Sequence, residues 1–589
     1  MPNQSFFPFD TLEAQTAKPE RWTPSPNEPA QDDQLAAQAT AALRLNGSAR
    51  SDPAAAAAHI TVPKVLSETD ITRKIDLATA LQYGTAAGYP PLLSFIRQFT
   101  REQLHPNVPY EGGPEVVLTV GATDGFSKVQ EMFVDPWSPS LHDIRDRPGI
   151  LCETFIYGQI LNQVMPKGVQ VVSVKADAGG MVASGPGSLE DTLENWDYSR
   201  GRRPHLLYTV TMGHNPTGVV LSVERRKALY ALCSKYDVII IEDDPYWYLQ
   251  FPSAAIEESK SRNKPPVADA FTDPAFRRMQ QAVATNEKDN WKSSGYAFLD
   301  SLVPSFLSFD TDGRVVRLDT FSKTVAPGCR LGWITAQPKL IERVTRIAEV
   351  STQQPSGFVQ SVISELIMGQ QPAAATTGWL SLRSNKERTV YTGWQTDGWV
   401  RWLAGLRGEY ERRMARMCRI LDDGSVYIKQ GTPRAAQDAD VCVLTKTQLY
   451  DYNWPRGGMF VWVRIFLQNH PLYGVAHSDG RTLVEGGALA MGLLIFLTRA
   501  PFSVVISPGL MFSSTDEVKR TVGWQYFRLC FAAETEENID LYSERFAKGV
   551  RKFWGMKDVK ELEDLTRDLD AAADKLDEEV GNLGSYMGC

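Results

Sequence analysis

Cysteine is scarce and shows no CxxC pairing in this chain: seven in 589 residues, at 152, 233, 329, 418, 442, 530 and 589. An odd, scattered set excludes a disulfide framework and a zinc ribbon and fits a reducing compartment. No apolar run approaches the roughly 20 residues needed to cross a bilayer. Positive charge is not in excess either: a net charge of −8 and a pI near 5.6 exclude a broadly basic nucleic-acid surface. The first ten residues, MPNQSFFPFD, lack the basic region and long apolar stretch of a secretory leader. The expectation is a soluble, cytoplasmic protein. What the chain does have is 43% hydrophobic residues, ample for a large core, in a length that calls for two domains with insertions.

Strand and helix signals alternate from about residue 83 to 345. Pro90-Pro91 opens an amphipathic helix carrying Leu92, Leu93, Ile96 and Phe99, since proline is tolerated in a first turn. Glu115–Val120 reads as a strand, and Phe126, Val129 and Phe133 recur at helical spacing after it. Leu206–Val210 is a second strand. Asp237–Ile241 is a β-branched run of the kind buried on both faces of a parallel sheet. The pattern is α/β and doubly wound. From about 398 it changes to a long helix (Trp399 to Leu421) and strands near 458–465 and 524–532, a smaller α+β domain. The expected division is an N-terminal segment 1–75, a large domain 76–345, a connecting helix and insertion 346–397, a small domain 398–555 and an acidic helical tail 556–589. Residues 47–70, 253–296 and 371–394 read as surface excursions. The leucines at 562, 565, 569, 576 and 583 fit an amphipathic surface helix or a coiled coil.

The chemistry centres on Lys323, in Arg317-Leu-Asp-Thr-Phe-Ser-Lys323-Thr-Val-Ala-Pro-Gly-Cys-Arg330. An amine in a small hydroxyl-rich loop, with an arginine seven residues on, suits a carbonyl cofactor bearing a phosphate: the amine can form a Schiff base while Ser322 and Arg330 bind the phosphate. Taken alone, the segment also fits an ordinary surface loop. Gly121-Ala-Thr-Asp-Gly125 joins a strand to a helix, so its backbone N–H groups can hold an anion; any tight βα turn looks this way, and Asp124 places a negative charge there. Glu242-Asp243-Asp244-Pro245-Tyr246 follows the apolar strand, where ligands of open α/β sheets lie. An aspartate there can pair with a protonated pyridine nitrogen and Tyr246 can donate to a ring oxygen; a solvated acidic turn is the alternative. His214-Asn215-Pro216-Thr217-Gly218 is a turn whose Asn215 amide can hold a phenolate oxygen. His214 is expected to pack or face solvent rather than to catalyse. Tyr157 can stack on a ring or simply pack. Arg528 lies in an apolar strand opposite the face of Phe527, Leu529 and Phe531, and a guanidinium there needs an anionic partner: a substrate carboxylate, or an internal acid.

In this order the pieces resemble the fold-type I pyridoxal-phosphate aminotransferases. The flanking FPFDTLEAQ (7–15), LQYGTAAGYPPL (81–92), PRGGMFVW (455–462) and VISPGLMF (505–512) are similar to the aromatic amino acid, kynurenine and 2-aminoadipate subgroup, fungal members especially. The resemblance implies a large mixed-sheet domain and a smaller α+β domain, with Lys323 as the cofactor-bearing lysine and proton shuttle. It implies Asp243 as partner of the pyridine nitrogen, Asn215 and Tyr246 as ligands of the ring oxygen, and Tyr157 stacked on the ring. Ala122, Thr123, Thr320, Ser322 and Arg330 would bind the phosphate, and Arg528 would anchor the substrate α-carboxylate. Tyr83 matches a tyrosine that reaches the phosphate of a neighbouring subunit, which implies a homodimer. In the family an arm precedes the PN…FPF motif, whereas this chain starts on it; the implied expectation is an absent arm, and a mitochondrial leader stays open.

The implied reaction is a ping-pong transamination from an aromatic or related bulky amino acid to 2-oxoglutarate. A kynurenine or 2-aminoadipate aminotransferase and a lyase or decarboxylase on the same cofactor are the enzymatic alternatives. A degenerate scaffold is the non-enzymatic one. A transcription regulator would need a fused DNA-binding segment, which this sequence does not offer.

Overall fold

The computed structural model describes Val62 and residues 76–285, 291–369, 371–431 and 443–576. The N-terminal expectations, including the FPFDTLEAQ motif and all of 47–70 except Val62, lie outside these residues, as does Leu583.

Seven strands form the main sheet: β1 (Glu115–Thr119), β2 (Gly149–Glu153), β3 (Gln170–Val174), β4 (Leu206–Thr209), β5 (Ile239–Asp243), β6 (Val315–Thr320) and β7 (Gly332–Ala336). Their order is β1-β7-β6-β5-β4-β2-β3. The five strands from β3 to β6 run parallel, and β7 is antiparallel to both neighbours. The β-branched runs explain the middle of the sheet: Ile240, Ile241, Val315 and Val316 are fully buried, as strands covered on both faces require. The helix Ala122–Phe133 packs on β1, β6 and β7 through the fully buried Phe126 and Val129. The helix Pro90–Phe99 starts on its two prolines, as expected.

A second sheet holds β8 (Tyr450–Tyr452), β9 (Phe460–Ile465), β10 (Ser507–Pro508) and β11 (Tyr526–Cys530), all antiparallel, in the order β8-β9-β11-β10. Phe527 and Leu529, with Phe531 just beyond, are fully buried on the face that alternation assigns them. The long helix Asp397–Gly424 packs against the helix Glu536–Phe553. The tail helix Val559–Leu576 docks on the helix Gly486–Thr498, burying Leu562 and Leu565.

Within the stretches read as surface excursions, the described residues carry the helices Ala254–Arg262, Pro274–Thr285 and Ala373–Leu380 and bury Ala254, Ala270, Phe276, Trp379 and Trp394, while residues 263–268 are exposed. The strand read as Asp237–Ile241 is shifted, so that Glu242 and Asp243 are its last two residues rather than the loop after it. Among the described residues, no helix is long and apolar enough to cross a membrane.

Candidate active site

The carboxyl ends of β4, β5 and β6 and the start of the helix Ala122–Phe133 enclose a cavity of about 150 Å³. Ala122, Thr123, Tyr157, Asn215, Asp243, Tyr246, Thr320, Ser322, Lys323 and Arg330 all line it. Residues more than 200 positions apart in sequence thus converge on one space. Two of the residues singled out do not line it: Arg528, which borders it through Asn215, and Tyr83, which is 94% exposed.

One end of the cavity can hold an anion. Gly121 precedes the helix at φ +83°, no side chain caps that end, and Ala122 and Thr123 of the first turn line the cavity. The positive φ of Gly121 favours glycine there, and a Cβ would also push on Arg330 Nη2, 2.9 Å away. Arg330 itself is held at φ +47° and donates to Ser322 Oγ at 3.3 Å and to the Pro327 carbonyl at 3.1 Å. Thr320 Oγ1 and Ser322 Oγ lie 2.9 Å apart. Asp124 does not compete with an anion here: its carboxylate accepts from Val120 N at 2.8 Å and from Lys128 Nζ at 2.5 Å.

At the other end, Asp243 is 7% exposed and accepts from the Tyr208 hydroxyl at 2.7 Å through Oδ2. Its Oδ1 has no hydrogen-bond partner. Burial pushes this carboxyl up to about 6; the Tyr208 hydrogen bond, Arg317 and Lys323 act the other way, and Asp319 adds to burial. Tyr246 is buried, edge-on to Phe460 at 5.9 Å, and its phenol is raised by burial first. Tyr157, half-buried, is raised by burial and then by the charge of Asp243.

Between the ends, Asn215 Oδ1 accepts from Arg528 Nη1 at 2.9 Å, which leaves the amide N–H groups for the cavity. Arg528 is 4% exposed, donates to Ser507 Oγ at 3.4 Å and lies across the rings of Phe460 (4.0 Å) and Phe512 (4.8 Å). His214 packs, as expected: it is buried, with Nδ1 2.9 Å from Thr217 Oγ1. The turn is pressed against the PRGG segment: a Cβ on Gly213 would meet Gly458 N at 2.2 Å.

Sequence reading missed what fixes this turn. Asp244 is not a solvated acid: it is 1% exposed and accepts from Thr211 N at 2.8 Å, Met212 N at 3.1 Å, Thr211 Oγ1 at 2.7 Å and Arg317 Nη1 at 3.0 Å. Arg317 also forks onto Asp319 with two 3.0 Å bonds. Arg226 joins Glu242 at 2.9 Å and Thr211 Oγ1 at 2.8 Å. All five charges are buried, and such a cluster persists only when its hydrogen bonds are nearly complete. An arginine two residues before an aspartate, in a strand of otherwise apolar character, was the available signal.

The arrangement can hold a flat ring bearing a phosphate at one end and a protonated nitrogen at the other, with an amine alongside. An α/β fold of this topology around such a cavity defines the pyridoxal-phosphate transferase fold type I. The aminotransferase class I and II family model matches residues 51–392. The L-tyrosine:2-oxoglutarate aminotransferase of Tapinella panuoides is 32% identical over 427 residues, 72% of this chain and 64% of its own length. An aromatic amino acid aminotransferase of Schizosaccharomyces pombe is 31% identical over 484 residues, 82% of this chain and 80% of that protein. Among solved structures, the aminotransferase Aro8 of Candida albicans superposes with a TM-score of 0.58 at 29% identity, covering 84% of each chain. The chain belongs to the class I and II aminotransferases. It spans just under two thirds of the Tapinella enzyme.

Proposed function

We propose that this protein transfers the amino group of an aromatic or related bulky amino acid to a 2-oxo acid, 2-oxoglutarate first among them, by a ping-pong route on pyridoxal phosphate. The observation that carries this is the single cavity in which Lys323 shares walls with a buried carboxylate, Asp243, and an anion cradle. The residues fit the cofactor: the orphaned Oδ1 of Asp243 suits a pyridinium N–H, and the cavity wall that Ala122, Thr123, Ser322 and Arg330 share suits a phosphate. When bound, pyridoxal phosphate supplies a carbonyl for amine exchange and a ring that accepts electrons from Cα.

The chain's own residues do the rest. Ala122 and Thr123 through backbone N–H, with Thr320, Ser322 and Arg330, hold the phosphate. Tyr157 stacks on the ring, while Asn215 and Tyr246 donate to its oxygen. Arg528 holds the substrate α-carboxylate beside Asn215 and orients Cα toward Lys323. Lys323 would hold the cofactor through its Nζ and, with that amine free, would act as the general base that takes the proton from substrate Cα and shuttles it onward. The two sheets act as two domains, 76–345 and 398–555. Tyr83, exposed in one chain, reaches the phosphate site of the partner subunit in a homodimer. The five described cysteines form no disulfide, in keeping with a cytoplasmic enzyme.

An assay with phenylalanine, tyrosine, kynurenine and 2-aminoadipate tests the reading. Equal amounts of 2-oxo acid and glutamate support it. A 2-oxo acid without glutamate identifies a lyase, and no turnover of any donor identifies a scaffold.

A pH dependence follows from Asp243. Its folded-state carboxyl sits near 6, above the ordinary value of 3.8, so in the empty protein it binds a proton that the unfolded chain has already lost over that interval. This favours the empty folded state at low pH and is lost as pH rises through 6. A pyridinium reverses the preference, because only the carboxylate accepts its N–H. Cofactor retention on gel filtration is therefore expected to fall as pH drops from 7 to 5, with the step abolished in Asp243→Asn. A step of equal size in that variant would assign the titration to the phosphate instead.

A further inference from the structure

Asp243 faces the cavity with one oxygen because another residue occupies the other. Tyr208 lies in the middle of β4, paired in register with Ile241 of β5, and its side chain reaches along the sheet to Asp243 Oδ2 at 2.7 Å. The phenol is 1% exposed, and its ring sits edge-on to Phe126 at 5.4 Å and 71°. Phe126 belongs to the helix whose first turn forms the anion cradle, so both ends of the cavity are tied to this one ring. Neither the hydroxyl nor the ring touches the cavity: Tyr208 is absent from its lining.

We propose that Tyr208 is a positioning residue that turns Oδ1 of Asp243 toward the cofactor nitrogen and keeps that carboxylate ionised, so that the ring stays protonated during turnover. The inference rests on the reading of Asp243 as the partner of the ring nitrogen. A carboxylate with two equivalent oxygens can rotate; a donor fixed on one of them removes that freedom and leaves a single acceptor pointing to the ligand. The donor is dependable, because burial and the adjacent carboxylate hold the phenol well above its ordinary value and its O–H stays protonated. It also opposes the main force acting on Asp243. Burial drives that carboxyl toward its neutral form, and the Tyr208 hydrogen bond is the largest influence in the other direction, ahead of the charges of Arg317 and Lys323 and against that of Asp319. Without Tyr208 the carboxylate becomes the stronger base, takes the proton from the ring nitrogen, and the ring becomes a poorer electron acceptor.

The experiment uses holoenzyme reconstituted with pyridoxal phosphate labelled with nitrogen-15 in the ring, compared by NMR in the natural protein, Tyr208→Phe and Tyr248→Phe. Phenylalanine keeps the packing on Phe126 and removes only the donor. Tyr248 is an equally buried phenol whose hydroxyl has no hydrogen-bond partner, and serves as the packing control. The expected result is a protonated-nitrogen shift in the natural protein and in Tyr248→Phe, and a shift displaced toward unprotonated pyridine in Tyr208→Phe. In Tyr208→Phe kcat should fall roughly 10- to 100-fold, the worth of one hydrogen bond to a charged group, with KM for the amino donor within about twofold. A protonated shift and unchanged kcat in Tyr208→Phe would reduce Tyr208 to a space-filling role. An unprotonated shift in the natural protein would instead overturn the assignment of Asp243, which separates failure of the underlying reading from failure of this inference.

Discussion

Replacing Lys323 with alanine is expected to abolish the visible absorbance of lysine-linked cofactor and to lower kcat by about 10⁴-fold or more, the loss of a covalent tether and a general base together. The cavity itself should survive. Lys323 lies in the turn after β6, and the fully buried strand residues that place it, Val315, Val316 and Leu318, are untouched by the change. The Gly121 turn, Arg330 and Asp243 belong to other segments, so pyridoxal phosphate should still bind, now as a free aldehyde removable by dialysis. Absorbance spectra and rapid-quench single turnovers measure both effects. A Lys323→Ala protein with the absorbance band and turnover of the parent would exclude this lysine from the chemistry.

The second large effect belongs to Arg528. Its guanidinium is buried at 4% exposure between two aromatic rings and holds Asn215 at 2.9 Å. A substrate carboxylate gives it a charge-assisted fork, and truncating one side of such a buried pair costs ~3–4 kcal/mol, or roughly 150- to 900-fold in kcat/KM. Arg528→Ala should therefore lose that factor mainly through KM for the amino acid, with cofactor content unchanged, because Arg528 does not line the cofactor cavity. Arg528→Lys should recover little, since a single ammonium cannot reproduce the fork. Saturation curves with each amino donor read out the result, and an unaltered KM would remove Arg528 from carboxylate binding.

How much of this was legible in the sequence depended on how local each feature is. The turns were legible together rather than singly: Gly121 before a helix, Asn215-Pro216 in a turn and Ser322-Lys323 after an alternating strand each also fit an ordinary loop, and only their order in the chain pointed to one site. The placement of Arg528 on the face opposite Phe527 and Leu529 followed from a period of two. Asp243 was found, but its setting was misjudged by two residues, because a strand that ends on two acids departs from the apolar pattern that marks strands. Tyr208 and the cluster of Arg226, Arg317, Asp244 and Asp319 were not visible. Tyr208 meets Asp243 across 35 residues and Arg317 meets Asp244 across 73. Hydrogen bonds between neighbouring parallel strands leave no spacing rule, and an arginine inside a strand does not announce its partner. The packed helices within 253–296 and 371–394 escaped for a related reason: single anchors such as Phe276 and Trp379 are buried by distant elements, so burial there is set by the tertiary fold rather than by a local period.

The whole interpretation depends on a covalent link between one amine and a B6 aldehyde. Borohydride treatment of the holoprotein, proteolysis and mass spectrometry of the peptide spanning Thr320 to Arg330 test it most directly. A phosphopyridoxyl group fixed on Lys323, and lost when free amino acid is added before the reductant, is the predicted result. An unmodified Lys323 in cofactor-loaded protein, or the same adduct on another lysine, would contradict it.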